Sequence, residues 1–564
     1  MSWAKAVSLA PQVAVRHVRT EPARTPLLAL RVLPAPIRRM MRGMLLRAGP
    51  VPSAYGQWDQ GRRDDALATI ARAAADARPR RLRRLAAFTV AVERPDAARP
   101  LLDALPERDR ARLGALLAAK DGRLREAVAK SEHAPARVRR DLAGRLDALT
   151  WTPPPAAKRT DGTPGRVLHI VTNALPTTNA GYTVRTHRLV SAQRAQGLDP
   201  HVVTRLGFPV AQGARDPRPL VDVDGIPYHR LIPWRLPPTA RAALDANVDA
   251  ASALVERLRP AVLHAASNHV NAQIALELRA RHGIPVVYEV RGFLEESWLS
   301  RDPRRDTGRD FYRLSRELET ACMTAADLVV TLGEAMRDEI VARGVPAEQV
   351  LVIPNGVDDV FLQPLPDASG LRASLGIAPD EKVVGTTTSF YGYEGLDTLL
   401  EAGARLRDRG RPVRLLLVGD GPERAALERR AADLGLDALF PGRVPADDVR
   451  LYHAALDAFV VPRRDERVCR LVTPLKPLEA MAGGVPVIAS DLPALREIID
   501  PEATGRLTLA GDPDDLAEEI TSTLYGAGTD RIRDAARAWV HSERTWRIGT
   551  DRLRDAYRAL DVPC

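Results

Sequence analysis

Cysteine is almost missing from this sequence. The three present, Cys322, Cys469 and Cys564, are odd in number, far apart and without metal-ligand spacing, so neither a disulfide framework nor a metal site is implied. Long apolar runs are missing too. No uninterrupted stretch of about 18 apolar residues occurs, which excludes a membrane-spanning helix, and the first residues lack the apolar core of a signal peptide. A cytoplasmic protein is expected. Aromatics make up only 4% of the chain, and lysines are few. What is abundant is alanine and arginine, in a chain of 564 residues that is 45% hydrophobic and long enough for three or so folding units.

The formal charge of +10 is unevenly spread. Residues 1–160 hold 32 Lys and Arg against 15 Asp and Glu, while the remaining 404 hold 50 against 57. The excess belongs to a basic head joined to a mildly acidic body. Aromatic and basic residues are not interleaved in the body, so a nucleic-acid partner is not expected. A strongly basic head fits an anionic membrane surface or an acidic partner, which would place the protein in the cytoplasm at the inner membrane face.

In the head, Ala, Arg and Leu favour helix, and apolar residues recur at helical spacing, as in Leu67, Ile70 and Ala74. Three phrases spaced by about thirty residues, GRRDDAL (61–67), ERPDAARPLL (93–102) and DGRLREAV (121–128), are compatible with degenerate helix-pair repeats. Frequent prolines suggest that the first 55 residues or so are loosely ordered around Ile37–Leu46. After the proline-rich join at 151–165, strand-like phrases alternate with helical ones. RVLHIVTNA, HVVTRLG, AVLHAAS, PVVYEVRG and DLVVTLG form one series; KVVGTTTSF, RLLLVGDG, DAFVVP and PVIASD form a second. The fold class is therefore α/β: two tandem, Rossmann-like, doubly wound parallel sheets behind an all-helical region. The expected units are the head (1–160), a first sheet domain (161–364), a second (365–535) and a C-terminal helix (536–564) packing back on the first. Ligands of such a pair bind in the cleft, at the carboxyl ends of the strands.

The phrase TPLKPLEAMAGGVPVIASD (473–491) carries the most chemistry. Thr473 and Pro474 read as a helix start, which puts Lys476 and Glu479 three residues apart on one face of the first turns. A glutamate there accepts hydrogen bonds from ribose hydroxyls, and the helix amides with Lys476 attract a phosphate. An exposed ion pair would be the plainer explanation of two such residues.

With EAMAGGVPVIASDLPALREII (479–499), VIPNGVD (352–358), LLLVGDGPERAALE (415–428) and DDVRLYHAALDAFVVP (447–462), the sequence resembles retaining glycosyltransferases of family 4, of the two-Rossmann GT-B type, over residues 166 to about 560. The resemblance implies that Glu479 binds the ribose of a nucleotide-diphosphate sugar and that its helix faces the pyrophosphate. Many members have a first glutamate eight positions earlier, where this chain has Leu471. It resembles instead a subgroup reading VTPLKPLEAMA, in which Lys476 helps to bind the donor. Members also place an Arg and a Lys after the first strand of the donor domain, where this chain has Tyr393 and Glu394. The nearby arginines of the 463–470 loop, Arg463 and Arg470 among them, are then the substitutes for holding the diphosphate.

On the acceptor side, NALPTTNAGYTVRTH (173–187) places Ala180 and Gly181 where backbone can approach a phosphate or sugar, with Tyr182, Arg185 and His187 beside them. Relatives have a donor-contacting His near the end of the strand AVLHAAS. Here that position is Ala266, which leaves His264, Asn268 or His269. Glu289 and Arg291, ending an apolar strand, either face the cleft or pair with each other. Asp222 and Asp224 have the spacing of a cation site but read as surface residues. Gly419 and Gly421 form a glycine turn without the third glycine of a dinucleotide fingerprint, and fit better near the donor nucleotide.

The expected activity is transfer of a hexose-type sugar from a nucleotide-diphosphate sugar to a glycan or lipid-linked acceptor, with retention, in cell-surface polysaccharide synthesis. Lys476, Glu479 and His264 are the catalytic candidates; no metal and no cofactor beyond the sugar nucleotide donor is needed. The alternative is a non-catalytic sugar-nucleotide-binding scaffold whose helical head recruits partners.

Overall fold

The computed structural model describes residues 4–5, 7–9, 11–13, 15, 21–214, 216–501 and 503–562; Cys564 lies outside them. From 21 to 150 the chain is a series of helices: Thr25–Val32, Ala35–Arg47, Pro50–Asp59, Arg63–Ala74, Pro79–Ala91, Pro95–Asp103, Glu107–Lys120, Leu124–Lys130 and Ala136–Leu149. Residues 25–55, expected to be loosely ordered because of their prolines, are helical instead. Pro26, Pro36 and Pro50 stand in first turns, where the missing N–H has no partner to lose.

The three similar phrases of the head occupy the same kind of turn. Gly61, Glu93 and Gly122 take left-handed conformations, with φ of 76°, 60° and 78°. The following residues, Arg62, Arg94 and Arg123, donate their N–H to Gln57, Thr89 and Ala118, each five residues back. This is one helix-stop motif used three times, each followed by a new helix. The head has its own core around Tyr55, Leu85 and Phe88. It is docked on the first sheet domain: Glu93 pairs with Arg305 at 3.1 Å, Asp121 with Arg309 at 3.2 Å, and Trp151 donates to Glu277 at 2.8 Å.

The first sheet has eight strands: β1 (Thr163–Val171), β2 (Asp199–Thr204), β3 (Leu220–Val223), β4 (Ile226–Arg230), β5 (Pro260–Ala266), β6 (Val286–Val290), β7 (Leu328–Thr331) and β8 (Val350–Val352). Their order is β3-β4-β2-β1-β5-β6-β7-β8, parallel except for the β3–β4 hairpin. The second sheet contains β9 (Val383–Thr387), β10 (Arg414–Val418), β11 (Leu439–Gly442), β12 (Ala458–Val461), β13 (Val487–Ser490) and β14 (Arg506–Thr508), in the order β11-β10-β9-β12-β13-β14 and wholly parallel. Strand order therefore reverses between β1 and β5 and between β9 and β12, the two places where a doubly wound sheet opens a crevice.

The chain leaves the first sheet domain through Ile353–Asp358. Helix Thr529–Glu543 packs on helix Lys476–Gly483 of the second domain. The return falls at Arg544–Thr545, beyond the boundary expected at 535, beside the outgoing strand: Val357 N–H donates to Arg544 O at 2.8 Å. Helix Trp546–Ala559 then packs on helix Gly181–Ala195, and Leu553, Tyr557 and Val562 complete a core with Val167, Leu189 and Val262 of the first domain.

Candidate active site

The helix bearing Lys476 and Glu479 starts at Lys476, not at Thr473. Pro477 supplies the first-turn proline, and no side chain caps the end. Thr473 is buried three residues upstream; its carbonyl accepts from Asn355 Nδ2 at 2.9 Å, and its Oγ1 has no partner. Lys476 and Glu479 are half-buried, and among the described residues neither makes a side-chain hydrogen bond or an ion pair, with each other or with anything else. Burial pushes the Glu479 carboxyl up to about 7, against the pull of Lys476 and Arg188 and with the push of Asp358. Burial also draws the Lys476 amine below its ordinary value, although Glu394 and Glu479 favour its charge. A partly buried amine and carboxyl without partners are candidates for contact with a ligand.

The glycine loop of the first domain meets this helix. A Cβ added to Gly181 would lie 3.9 Å from the Leu475 side chain. Ala180 opens helix Gly181–Ala195, its N–H donating to Thr183 Oγ1 at 2.9 Å. Tyr182 is exposed, and its hydroxyl accepts from Asn173 Nδ2 at 2.9 Å. In the second domain, Gly419 and Gly421 serve packing: a Cβ on either would strike the carbonyl of Thr388 or Phe390, so these glycines let the loops after β9 and β10 lie together.

Several expected site residues are elsewhere. His264 is fully buried, between Tyr557 OH at 2.7 Å and Glu289 Oε2 at 3.3 Å, and its ring stacks on His169. It is closed off from the surface there. Glu289 is also sealed in; burial opposes its charge, but Arg291 and Arg185 on either side hold it well below the usual carboxylate range. Arg185 additionally donates to Asn355 Oδ1 (2.9 Å) and Ile353 O (2.8 Å), tying its helix to the crossing strand. Arg291 holds Tyr182 O at 2.8 Å and Thr186 Oγ1 at 2.7 Å, so the Glu289–Arg291 pair supports the glycine loop from beneath. His269 lies 3.3 Å from Glu319 in the interior, and His187 is held by Tyr228 and Asp224. Asn268 caps helix His269–His282, accepting from Val270 N–H at 3.3 Å.

The arginine loop differs from expectation as well. Arg463 is buried, paired with Glu394 at 3.2 Å, and donates to Val472 O at 2.9 Å; burial disfavours its charge, but Glu394 more than restores it. It braces the loop ahead of Lys476 rather than offering a free fork. Arg470 is exposed and paired with Asp465. Residues that sequence reasoning missed are Arg188 and Asp358, ion-paired at 2.6 Å and both acting on Glu479, and exposed Arg443 after β11, close enough to disfavour the charge of Lys476. Only their positions in the fold reveal them. Among the described residues, no group of three or more His, Cys, Asp or Glu side chains is placed to hold a metal ion.

Two facing Rossmann-like domains with this cleft between them define the GT-B fold. Residues 180–356 match the family model described as glycosyl transferase 4-like domain, and residues 381–525 match that of glycosyl transferases group 1, so these two segments belong to those glycosyltransferase domain families. Similar proteins include the D-inositol 3-phosphate glycosyltransferase of Nocardia farcinica, 32% identical over 233 residues, which are 39% of this chain and 49% of that protein. The GDP-mannose-dependent alpha-(1-6)-phosphatidylinositol monomannoside mannosyltransferase of Mycolicibacterium smegmatis is 30% identical over 232 residues, covering 39% of this chain and 59% of that one. The matched stretches thus span about half of these relatives. A solved structure of Anabaena Alr3699/HepE in complex with UDP and glucose has the same fold, with a TM-score of 0.54, 20% identity and coverage of 70% of this chain and 99% of that one.

Proposed function

We propose that the protein transfers a hexose-type sugar from a nucleotide-diphosphate sugar to a glycan or lipid-linked acceptor, with retention and without a metal ion, in the assembly of cell-surface polysaccharide. The observation that carries this reading is the unpaired Lys476 and Glu479 at an uncapped helix end, facing the glycine loop of the other domain. Glu479 accepts the ribose hydroxyls. Lys476, the helix amides and Arg443 hold the diphosphate, stabilising the charge that gathers on it as the sugar gains oxocarbenium character. A UDP-bound neighbour of the same fold and relatives named for glycosyl transfer support the reading.

A screen of nucleotide sugars for turnover tests it. Glu479→Ala should raise the donor KM strongly, and Lys476→Ala should lower kcat by about 10²–10³-fold, the scale of losing one fixed charge at the leaving group. Unchanged turnover in both variants would refute the assignment. Nucleotide binding without any turnover would favour the scaffold reading, which has one observation in its favour: Arg463 and Arg470 are already neutralised by Glu394 and Asp465.

The same proposal includes an anionic membrane surface as partner of the head. Helix Ala35–Arg47 exposes Ile37, Met40 and Met44 along one face, with exposed Arg39 and Arg47 beside them, on a unit with a large positive excess. An apolar stripe flanked by arginines suits the interface of an anionic bilayer.

A further inference from the structure

Buried arginines in this protein are matched by carboxylates. Arg185 has Glu289, Arg230 has Asp216, Arg343 has Glu295 and Arg463 has Glu394. Arg205 is held in another way. It is half-buried directly after β2, and among the described residues it has no carboxylate within ion-pair distance. Two neutral oxygens hold it instead: Nε donates to Asn271 Oδ1 and Nη2 to Asn268 Oδ1, both at 2.7 Å. Asn271 is itself fixed, its Nδ2 donating to Ala266 O at 2.6 Å and Thr172 Oγ1 at 3.1 Å. The plane of the guanidinium is therefore set, while Nη1 takes no protein acceptor among the described residues.

The place matters as much as the pairing. Thr172 follows β1 and Asn268 follows β5, so Arg205 stands at the crevice where the first sheet reverses strand order. Asn173, the next residue, bonds Tyr182, which neighbours Gly181 opposite Leu475. Arg205 thus belongs to the acceptor half of the same rim. Burial, with no carboxylate to offset it, pushes the guanidinium down only to about 10, so it keeps its charge at neutral pH. Helix His269–His282 starts just beyond Asn268, and its amino end is already answered by Glu319, which accepts from His269 N–H at 3.0 Å, so the open charge here is that of Arg205.

We infer that Arg205 binds a phosphate group on the acceptor, with Asn268 and Asn271 as positioning residues that hold its fork. This rests on the transferase reading above and gives the acceptor a chemical class: a phosphorylated sugar or polyol, either free or as a lipid headgroup. An arginine fixed by neutral props, with one edge left open, suits a phosphate oxygen better than a neutral hydroxyl.

The test uses the full chain with inorganic phosphate as probe, titrated by calorimetry alongside acetate, and in parallel with UDP and GDP. Phosphate should bind in preference to acetate. Arg205→Gln should weaken it about tenfold or more, the size of a charge-assisted hydrogen bond, while Arg205→Lys, which keeps the charge but not the fork, should lose less. Nucleotide affinity should not change in either variant. Transfer to soluble myo-inositol 1-phosphate, compared with vesicles containing phosphatidylinositol, then separates a free acceptor from a headgroup. Equal phosphate binding by wild type and Arg205→Gln, or equal binding of acetate, would overturn the inference. Absence of nucleotide binding in the wild type would instead sink the transferase reading, and the phosphate titration would still report on Arg205.

Discussion

Glu479 is a carboxyl placed where ionisation is resisted. Its folded value of about 7 lies above the ordinary 4.5, so the folded state holds the proton more tightly than the unfolded one. The resulting cost to stability is absent below 4.5, grows as pH climbs toward 7, and is complete above it. Glu479→Gln should therefore raise the melting temperature at pH 8, by about 2–4 °C, and leave it unchanged at pH 4.5. If the ionised form receives the ribose, affinity of the wild type for a nucleotide-diphosphate sugar, whose diphosphate does not titrate in this range, should strengthen between pH 6 and pH 8 while that of Glu479→Gln stays flat; calorimetry at both pH values checks this. That Lys476 and Glu479 share one helix, three residues apart, was legible from sequence because it depends only on local spacing. His264, Arg185 and Glu289 were not, because nothing in a strand or helix pattern says that a polar residue points at Tyr557 or at the crossing strand rather than into the cleft.

At the scale of elements, the second sheet domain caps a helix of the first. Glu497 of the second domain accepts from the N–H groups of Glu334 and Ala335 at 2.8 Å each, and so caps helix Glu334–Ala342 of the first from across the cleft. Gly333 permits the approach, since a Cβ there would sit 2.3 Å from the Glu497 carboxylate. Arg467 adds a second link, to Glu296 at 2.7 Å and Glu339 at 2.6 Å. Glu497→Ala should cost about 1 kcal/mol in stability, the worth of a helix cap, and should raise the donor KM with little change in kcat, because closure is loosened while the chemistry is intact. Denaturant melts and steady-state kinetics measure both. The central strands were read correctly from their apolar runs, whereas β11 and β14 were missed: each is short, and Leu439, Phe440, Arg506 and Leu507 are only partly buried at the sheet edges, which leaves little pattern to read. The head's turns were visible as three weak phrases because the left-handed stop is local, but which domain the head leans on was not.

For the molecule as a whole, the basic excess sits on a docked domain rather than on a loose tail. Deleting it would bare the surface of the first domain around Trp298 and Arg309, so membrane binding is better tested by point changes in the full chain. Ile37→Ser, Met40→Ser and Met44→Ser together should lower affinity for vesicles containing phosphatidylglycerol about tenfold or more, on the scale of losing three apolar side chains from the interface, without lowering the melting temperature. Flotation of the variant at wild-type levels would remove the membrane from the proposed partners.

The return of the chain at Arg544–Thr545 also bears on the order of synthesis. Domains emerge from the ribosome and fold from the amino end onward, yet the core containing Val167, Leu189 and Val262 lacks Leu553, Tyr557 and Val562 until residues 546–562 appear. The second domain, made later, holds its own sheet within residues 383–508. Of the two sheet domains, the one that begins first is therefore finished last, and a nascent chain carries an open apolar face on it throughout translation of the other.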